Sequence, residues 1–128
     1  MTYLAKILLV DDEPEIVFLT KQVLTTNGHE VLVAANGSEC MKMLESNLPE
    51  LILLDIMMPG LNGWEIGKEI KNNPGTKDIP IVTFTVRSSA DSVEKSLSYA
   101  NAAAQINKPF KIEELLEVVD RVLSDSKA

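Results

Sequence analysis

A parallel β-sheet with helices on both faces is the α/β fold class this sequence predicts, and three observations predict it. Strand-like and helix-like segments alternate five times along the chain, the pattern of right-handed crossovers between parallel strands. Ile7-Leu8-Leu9-Val10 and Leu51-Ile52-Leu53-Leu54 are apolar at every position, as strands buried on both faces are. Pro14, Pro49, Pro59, Pro74 and Pro80 fall at segment boundaries, where a locked φ and a missing N–H start or stop an element.

The first strand runs from Leu4 to Val10. Pro14 opens a helix whose apolar positions, Ile16, Leu19, Val23 and Leu24, recur at helical spacing, and Asn27-Gly28 ends it, glycine being the usual residue where the chain turns left-handed. Glu30 to Ala34 is the second strand. Asn36-Gly37 opens a second helix carrying Cys40, Met41 and Leu44, which Pro49 stops. After the strand Leu51–Leu54, the cluster Met58-Pro59-Gly60 with Asn62-Gly63 is a loop, and residues 64 to 71 form a short helix with Ile66 and Ile70 inward. Pro80 introduces a strand ending at Thr85. Residues 91 to 99 read as a fourth helix, and Ala102 to Asn107 as a weak strand. In the last helix Ile112, Leu115, Leu116, Val119, Val122 and Leu123 make an apolar stripe opposite Glu113, Glu114, Glu117 and Arg121. Ser124 to Ala128 reads as a tail.

At 128 residues, 45% of them hydrophobic and 24% charged, the chain fits one globular domain over residues 1–128 with its core from about 4 to 124. No apolar run approaches the roughly 20 residues that span a bilayer. The first ten residues are interrupted by Lys6 and run into Asp11, unlike a signal peptide, so the expected location is the cytoplasm. One cysteine, Cys40, offers no internal disulfide, and it reads as a small apolar residue on a helix face. A net charge of −7 with no basic stripe argues against direct nucleic-acid binding. His29, the single histidine, follows the first helix, away from the acids, and reads as a surface residue.

The chemistry sits at the strand ends. The apolar runs stop at Asp11 and Asp12, at Asp55, at Thr85 and at Lys108, and parallel strands of an open sheet gather their carboxyl ends at one edge, where ligands bind. An acid cluster with one amine and one hydroxyl suits a divalent cation and a carboxylate that accepts a phosphoryl group. Such an attack requires the facing negative oxygens to be screened. Asp11 and Asp12 can hold a metal, and magnesium fits because it takes hard oxygen ligands from one or two carboxylates plus phosphate. Without an ion, carboxylates a few ångströms apart repel by roughly 1 to 4 kcal/mol per pair, which Lys108 offsets in part. Singly, the residues have plainer readings: Asp11 and Asp12 as a helix cap, Lys108 as a solvated charge and Thr85 as a β-branched strand residue. Their joint placement favours the site.

Val10-Asp11-Asp12-Glu13, Asp55-Ile56-Met57-Met58-Pro59-Gly60, Thr85 and Lys108-Pro109-Phe110 together resemble the receiver domain of two-component response regulators, in order and across essentially the whole chain. The resemblance implies a flavodoxin-like, doubly wound sheet of strand order 2-1-3-4-5 with five helices. It implies Asp55 as phosphoacceptor and Mg2+ held by Asp12, by Asp11 through water, by Asp55 and by the backbone carbonyl of Met57. Thr85 and Lys108 would bind phosphoryl oxygens, and the Lys108-Pro109 bond would be cis. The partners implied are a sensor histidine kinase or phosphotransfer protein and a downstream protein target, reached through the last two helices and the strand between them. A phosphorylation-dependent dimer is a further option. Beyond its own phosphorylation and dephosphorylation, no enzymatic activity is implied. With no output domain after the last helix, the signal would leave through a partner, a dimer or onward transfer.

Three positions depart from the family's usual pattern. Gln105 stands where an aromatic residue usually precedes the lysine by three positions, so no ring can swing inward when Thr85 engages phosphate. Asn101 replaces a common glycine. Val86 replaces a small residue after the threonine and should narrow access to the phosphoryl group; a phospho-Asp55 half-life longer than that of a Val86→Ala variant would bear this out. Two other functions compete. A metal-dependent aspartyl phosphatase needs a second acid two residues after the nucleophile, and position 57 is Met. A receiver-like scaffold that is never phosphorylated is conceivable from Gln105, but all five site residues are present.

Overall fold

The computed structural model describes residues 4–56, 63–85, 102–108 and 110–127. Among these residues there are five strands, β1 (Lys6–Val10), β2 (Glu30–Ala34), β3 (Leu51–Asp55), β4 (Ile81–Thr85) and β5 (Ala104–Asn107), and four helices, α1 (Pro14–Thr26), α2 (Gly37–Ser46), α3 (Gly63–Asn72) and α4 (Ile112–Lys127). All strand pairs are parallel, in the order β2-β1-β3-β4-β5, the order the resemblance implies. The helix predicted over 91–99 lies outside the described residues, as do Val86 and Asn101.

Alternation along the strands divides the core in two. Ile7, Leu9, Leu53, Val82, Phe84 and Ile106 face α1 and α4, meeting Leu24, Leu115, Val119 and Val122. Leu8, Val10, Ile52, Leu54 and Ile81 face α2 and α3, meeting Cys40, Leu44, Ile66 and Ile70. Cys40 is fully buried, and desolvation with the nearby charge of Glu69 pushes its thiol up to about 12, which keeps it protonated and unreactive.

Local chemistry sets the helix ends. Pro14 occupies the first turn of α1, where its missing N–H costs nothing. Gly28 has φ +94°, and a Cβ there would also meet the Leu4 side chain at 2.7 Å. At α2, Asn36 Oδ1 accepts the Glu39 N–H at 2.8 Å while Glu39 Oε2 accepts the Ala35 N–H at 2.7 Å, a reciprocal cap for donors the helix leaves unpaired.

Three details differ from the sequence reading, and a fourth adds to it. Leu19 is 39% exposed and Ile112, at the first turn of α4, is 44% exposed, so the buried lines are Thr20 and Leu24 in α1, and Leu115, Val118, Val119, Val122 and Leu123 in α4. Helix α4 continues through Lys127, past the expected tail. No Gly or Pro interrupts Ser124 to Lys127, so the ladder extends beyond the last apolar residue. His29 is 4% exposed instead of lying on the surface. Its Nδ1 accepts the Ala5 N–H at 3.1 Å, and the Glu30 N–H reaches the Ala5 carbonyl at 3.0 Å, so the turn is folded under the start of β1, at the edge opposite the acids. Lastly, Thr20 Oγ1 is buried and has no hydrogen-bond partner among the described residues.

Two of these details have measurable consequences. Burial lowers the His29 pKa below the ordinary 6.5, against the opposing charges of Asp120 and Glu50. Below pH 6.5 the unfolded chain therefore binds more protons than the folded one, and stability should fall with acidification until the lowered folded value is passed. Denaturant midpoints at pH 7.5 and 5.5 should show a drop that shrinks in a His29→Asn variant, which keeps an acceptor but cannot titrate. For Thr20, exchange to Val replaces an unsatisfied hydroxyl by a methyl and should raise stability by about 1 kcal/mol; a lower melting temperature would show that the hydroxyl has a partner in solution.

Candidate functional site

Strand alternation also aims the site. Asp11 follows Ile7 and Leu9, Asp55 follows Leu51 and Leu53, and Lys108 follows Ala104 and Ile106, each continuing the series that faces α1 and α4. Leu9 is in register with Leu53, and Val10 with Leu54, so the next residues, Asp11 and Asp55, end adjacent strands side by side. Lys108 comes from β5, with β4 between it and β3. Its stem crosses above Phe84, with Nζ 5.7 Å from the ring centroid, and Phe84 stacks on Phe110 at 5.4 Å.

At the end of that stem, Nζ lies 2.8 Å from Asp11 Oδ2, 3.1 Å from Glu13 Oε1 and 3.4 Å from Asp55 Oδ2. The side chains of Asp11 and Asp55 are 0% and 3% exposed, and that of Lys108 is 6% exposed. Burial acts to lower the Lys108 pKa, but the hydrogen bond and charge of Asp11, with the charge of Asp55 and the hydrogen bond of Glu13, outweigh it, and the value is raised above 10.5. The pairing therefore contributes fully below pH 10.5 and is lost only as pH rises through the raised value.

Carboxylate oxygens of Asp11, Asp12 and Asp55 lie within 4.8 Å of one another. Two of these acids are buried and Asp12 is exposed, so the cluster opens to solvent on one side. Hard oxygen donors at this spacing fit a magnesium ion that keeps several waters. Asp11 does not cap α1; its Oδ1 accepts the Glu13 N–H at 3.0 Å ahead of the helix, which fixes the carboxylate while its other oxygen holds Lys108.

The predicted residues are thus brought together with two qualifications. Thr85 is buried at the end of β4, opposite Asn107, and its backbone carbonyl accepts the Lys108 N–H at 2.7 Å; its alternation is that of Thr83, opposite to Phe84. The Met57 carbonyl and the Lys108-Pro109 bond involve residues outside those described. Gln105 is half-buried in β5, in register with Thr83. Sequence reasoning missed Glu13 as a Lys108 partner and Phe84 as the floor beneath it. Glu13 directly follows the acid pair, the only signal that could have raised it.

The family model for the response regulator receiver domain matches residues 7–120. The chain belongs to this family. Its relatives include the protein PilH of Pseudomonas aeruginosa, 31% identical over 94% of this chain and 99% of PilH, and the response regulator MprA of Mycobacterium ulcerans, 34% identical over 95% of this chain and 51% of MprA. The chain thus spans about half the length of the MprA relatives. A CheY-like receiver domain protein from Methanospirillum hungatei superimposes with a TM-score of 0.89 at 31% identity, covering 98% of each chain. The chemotaxis regulator CheY4 of Vibrio cholerae does so with a TM-score of 0.88 at 30% identity, covering 94% of this chain and 99% of CheY4. This receiver domain has, among the described residues, no helix long and apolar enough to cross a membrane.

Proposed function

We propose that the domain is the phosphoacceptor of a two-component phosphorelay, working in the cytoplasm, with Asp55 as the residue that carries the phosphoryl group. The observation that carries this reading is the buried Asp55 carboxylate, grouped with Asp11 and Asp12 within 4.8 Å and reached by Lys108 at 3.4 Å. Asp11, Asp12 and Asp55, with the Met57 carbonyl, would hold Mg2+. Bound there, the ion would screen the oxygens of the carboxylate and the phosphoryl group from each other.

An Asp55 oxygen attacks phosphorus, the bond from phosphorus to the donor breaks, and the leaving group departs with the electron pair. The donor is a phosphohistidine of a sensor kinase or phosphotransfer protein, or a small acyl phosphate. Lys108 and the Thr85 hydroxyl take the phosphoryl oxygens, and placing that hydroxyl draws on the edge of the sheet formed by β4 and β5. A downstream protein would read that change. Water later returns the acyl phosphate to carboxylate and inorganic phosphate.

Intact mass after incubation with acetyl phosphate and magnesium tests the reading. The parent should gain one phosphate mass and an Asp55→Asn variant none; equal gain in both would place the modification elsewhere.

A further inference from the structure

Among the described residues Lys108 has three acidic partners, and only two of them belong to the acid cluster. Asp11 and Asp55 are members of the group of three whose oxygens could share an ion; Glu13 is not. An ammonium has three N–H donors, and here the described residues supply three carboxylate acceptors, at 2.8, 3.1 and 3.4 Å. Every donor is committed, so a phosphoryl oxygen arriving at Asp55 can bond Lys108 only if one of these contacts is given up.

Burial decides which contact yields. The side chains of Asp11 and Asp55 are almost without water, so hydration cannot take over from the amine at either. The Glu13 side chain is 55% exposed, and water can solvate its carboxylate as soon as the ammonium departs. Its position also suits a contact that can be given up, since it reaches Lys108 from the solvent side while its backbone N–H stays tied to Asp11 Oδ1 at 3.0 Å.

We propose that Glu13 is a positioning residue that occupies the third donor of Lys108 while Asp55 is unmodified and surrenders it to the incoming phosphoryl oxygen, thereby restraining the rate of phosphoryl acceptance. The inference rests on the reading of Asp55 as phosphoacceptor.

Two variants separate contact from charge. Glu13→Leu removes charge and acceptor together, whereas Glu13→Asp keeps the charge on a side chain one methylene shorter, which falls short of the 3.1 Å contact. At saturating magnesium, the rate of phosphate mass gain from acetyl phosphate should rise about threefold in both variants, the scale of a part-exposed ion pair. In the metal-free, unmodified protein, the Lys108 ammonium protons should exchange with water faster in both variants by nitrogen-detected NMR. A Glu13→Asp variant that behaves as the parent would assign the effect to charge alone and overturn the proposal, as would a Glu13→Leu variant no faster than the parent or with an unchanged ammonium signal. If the parent gains no phosphate, the phosphoacceptor reading falls and takes this proposal with it. If the parent gains phosphate and neither variant is faster, only the role of Glu13 falls.

Discussion

Replacing Lys108 with methionine should destabilise the metal-free domain by about 3 kcal/mol, because removing one partner of a buried pair leaves the other charges uncompensated. The amine touches Asp11 and Asp55, whose side chains are 0% and 3% exposed, so water is poorly placed to take over its role. Methionine fills the volume of the stem over Phe84 and deletes the ammonium, so the loss is that of the charge and its hydrogen bonds. In a domain of this size the melting temperature should drop by about 10 °C. Millimolar magnesium should recover much of that loss, since an ion bound by the same carboxylates restores the missing positive charge. A variant that melts with the parent, with or without the ion, would mean that water already solvates the acids and that the lysine holds nothing together.

The second large effect is expected at Gly63. A Cβ on this first residue of α3 would lie 2.4 Å from the Ile56 Cα and 2.7 Å from the Asp55 carbonyl oxygen, both backbone atoms that cannot rotate aside. Gly63→Ala therefore has to push the start of α3 off the end of β3 or displace Asp55 itself. Forced insertion into a packed contact costs about 1 to 3 kcal/mol, and displacement of a reacting carboxylate by about 1 Å can slow chemistry about a hundredfold. Loss of both stability and phosphate uptake is expected, measured by thermal melts and by mass gain from acetyl phosphate. Normal uptake in a destabilised variant would show that the helix moves and the strand end does not.

Much of the fold was readable because the apolar runs and the prolines report burial and boundaries directly. Ile7–Val10 and Leu51–Leu54 could be placed centrally since nothing polar interrupts them, and the sheet order follows from the family resemblance. The acids and the amine could be assigned to one rim because strand ends converge there. What could not be read was side-chain partnership. Helical spacing marked Leu19 and Ile112 as inward, but spacing does not say how wide a face the sheet can cover, and both lie at its margin. His29 looked exposed because it sits in a turn, yet its ring nitrogen completes the hydrogen bonding of the Ala5 backbone, which no local pattern encodes. Glu13 and Phe84 escaped for the same reason: which carboxylate a lysine finds, and which ring its stem crosses, depends on residues 95 and 24 positions away.

Separation along the chain also governs when the site can exist. Lys108 meets Asp11 across 97 positions and Asp55 across 53, so a nascent polypeptide released from the ribosome only as far as β4 carries the clustered acids without the ammonium that neutralises them. The charge balance of the rim is therefore set only after the fifth strand has been made, when four strands are already complete.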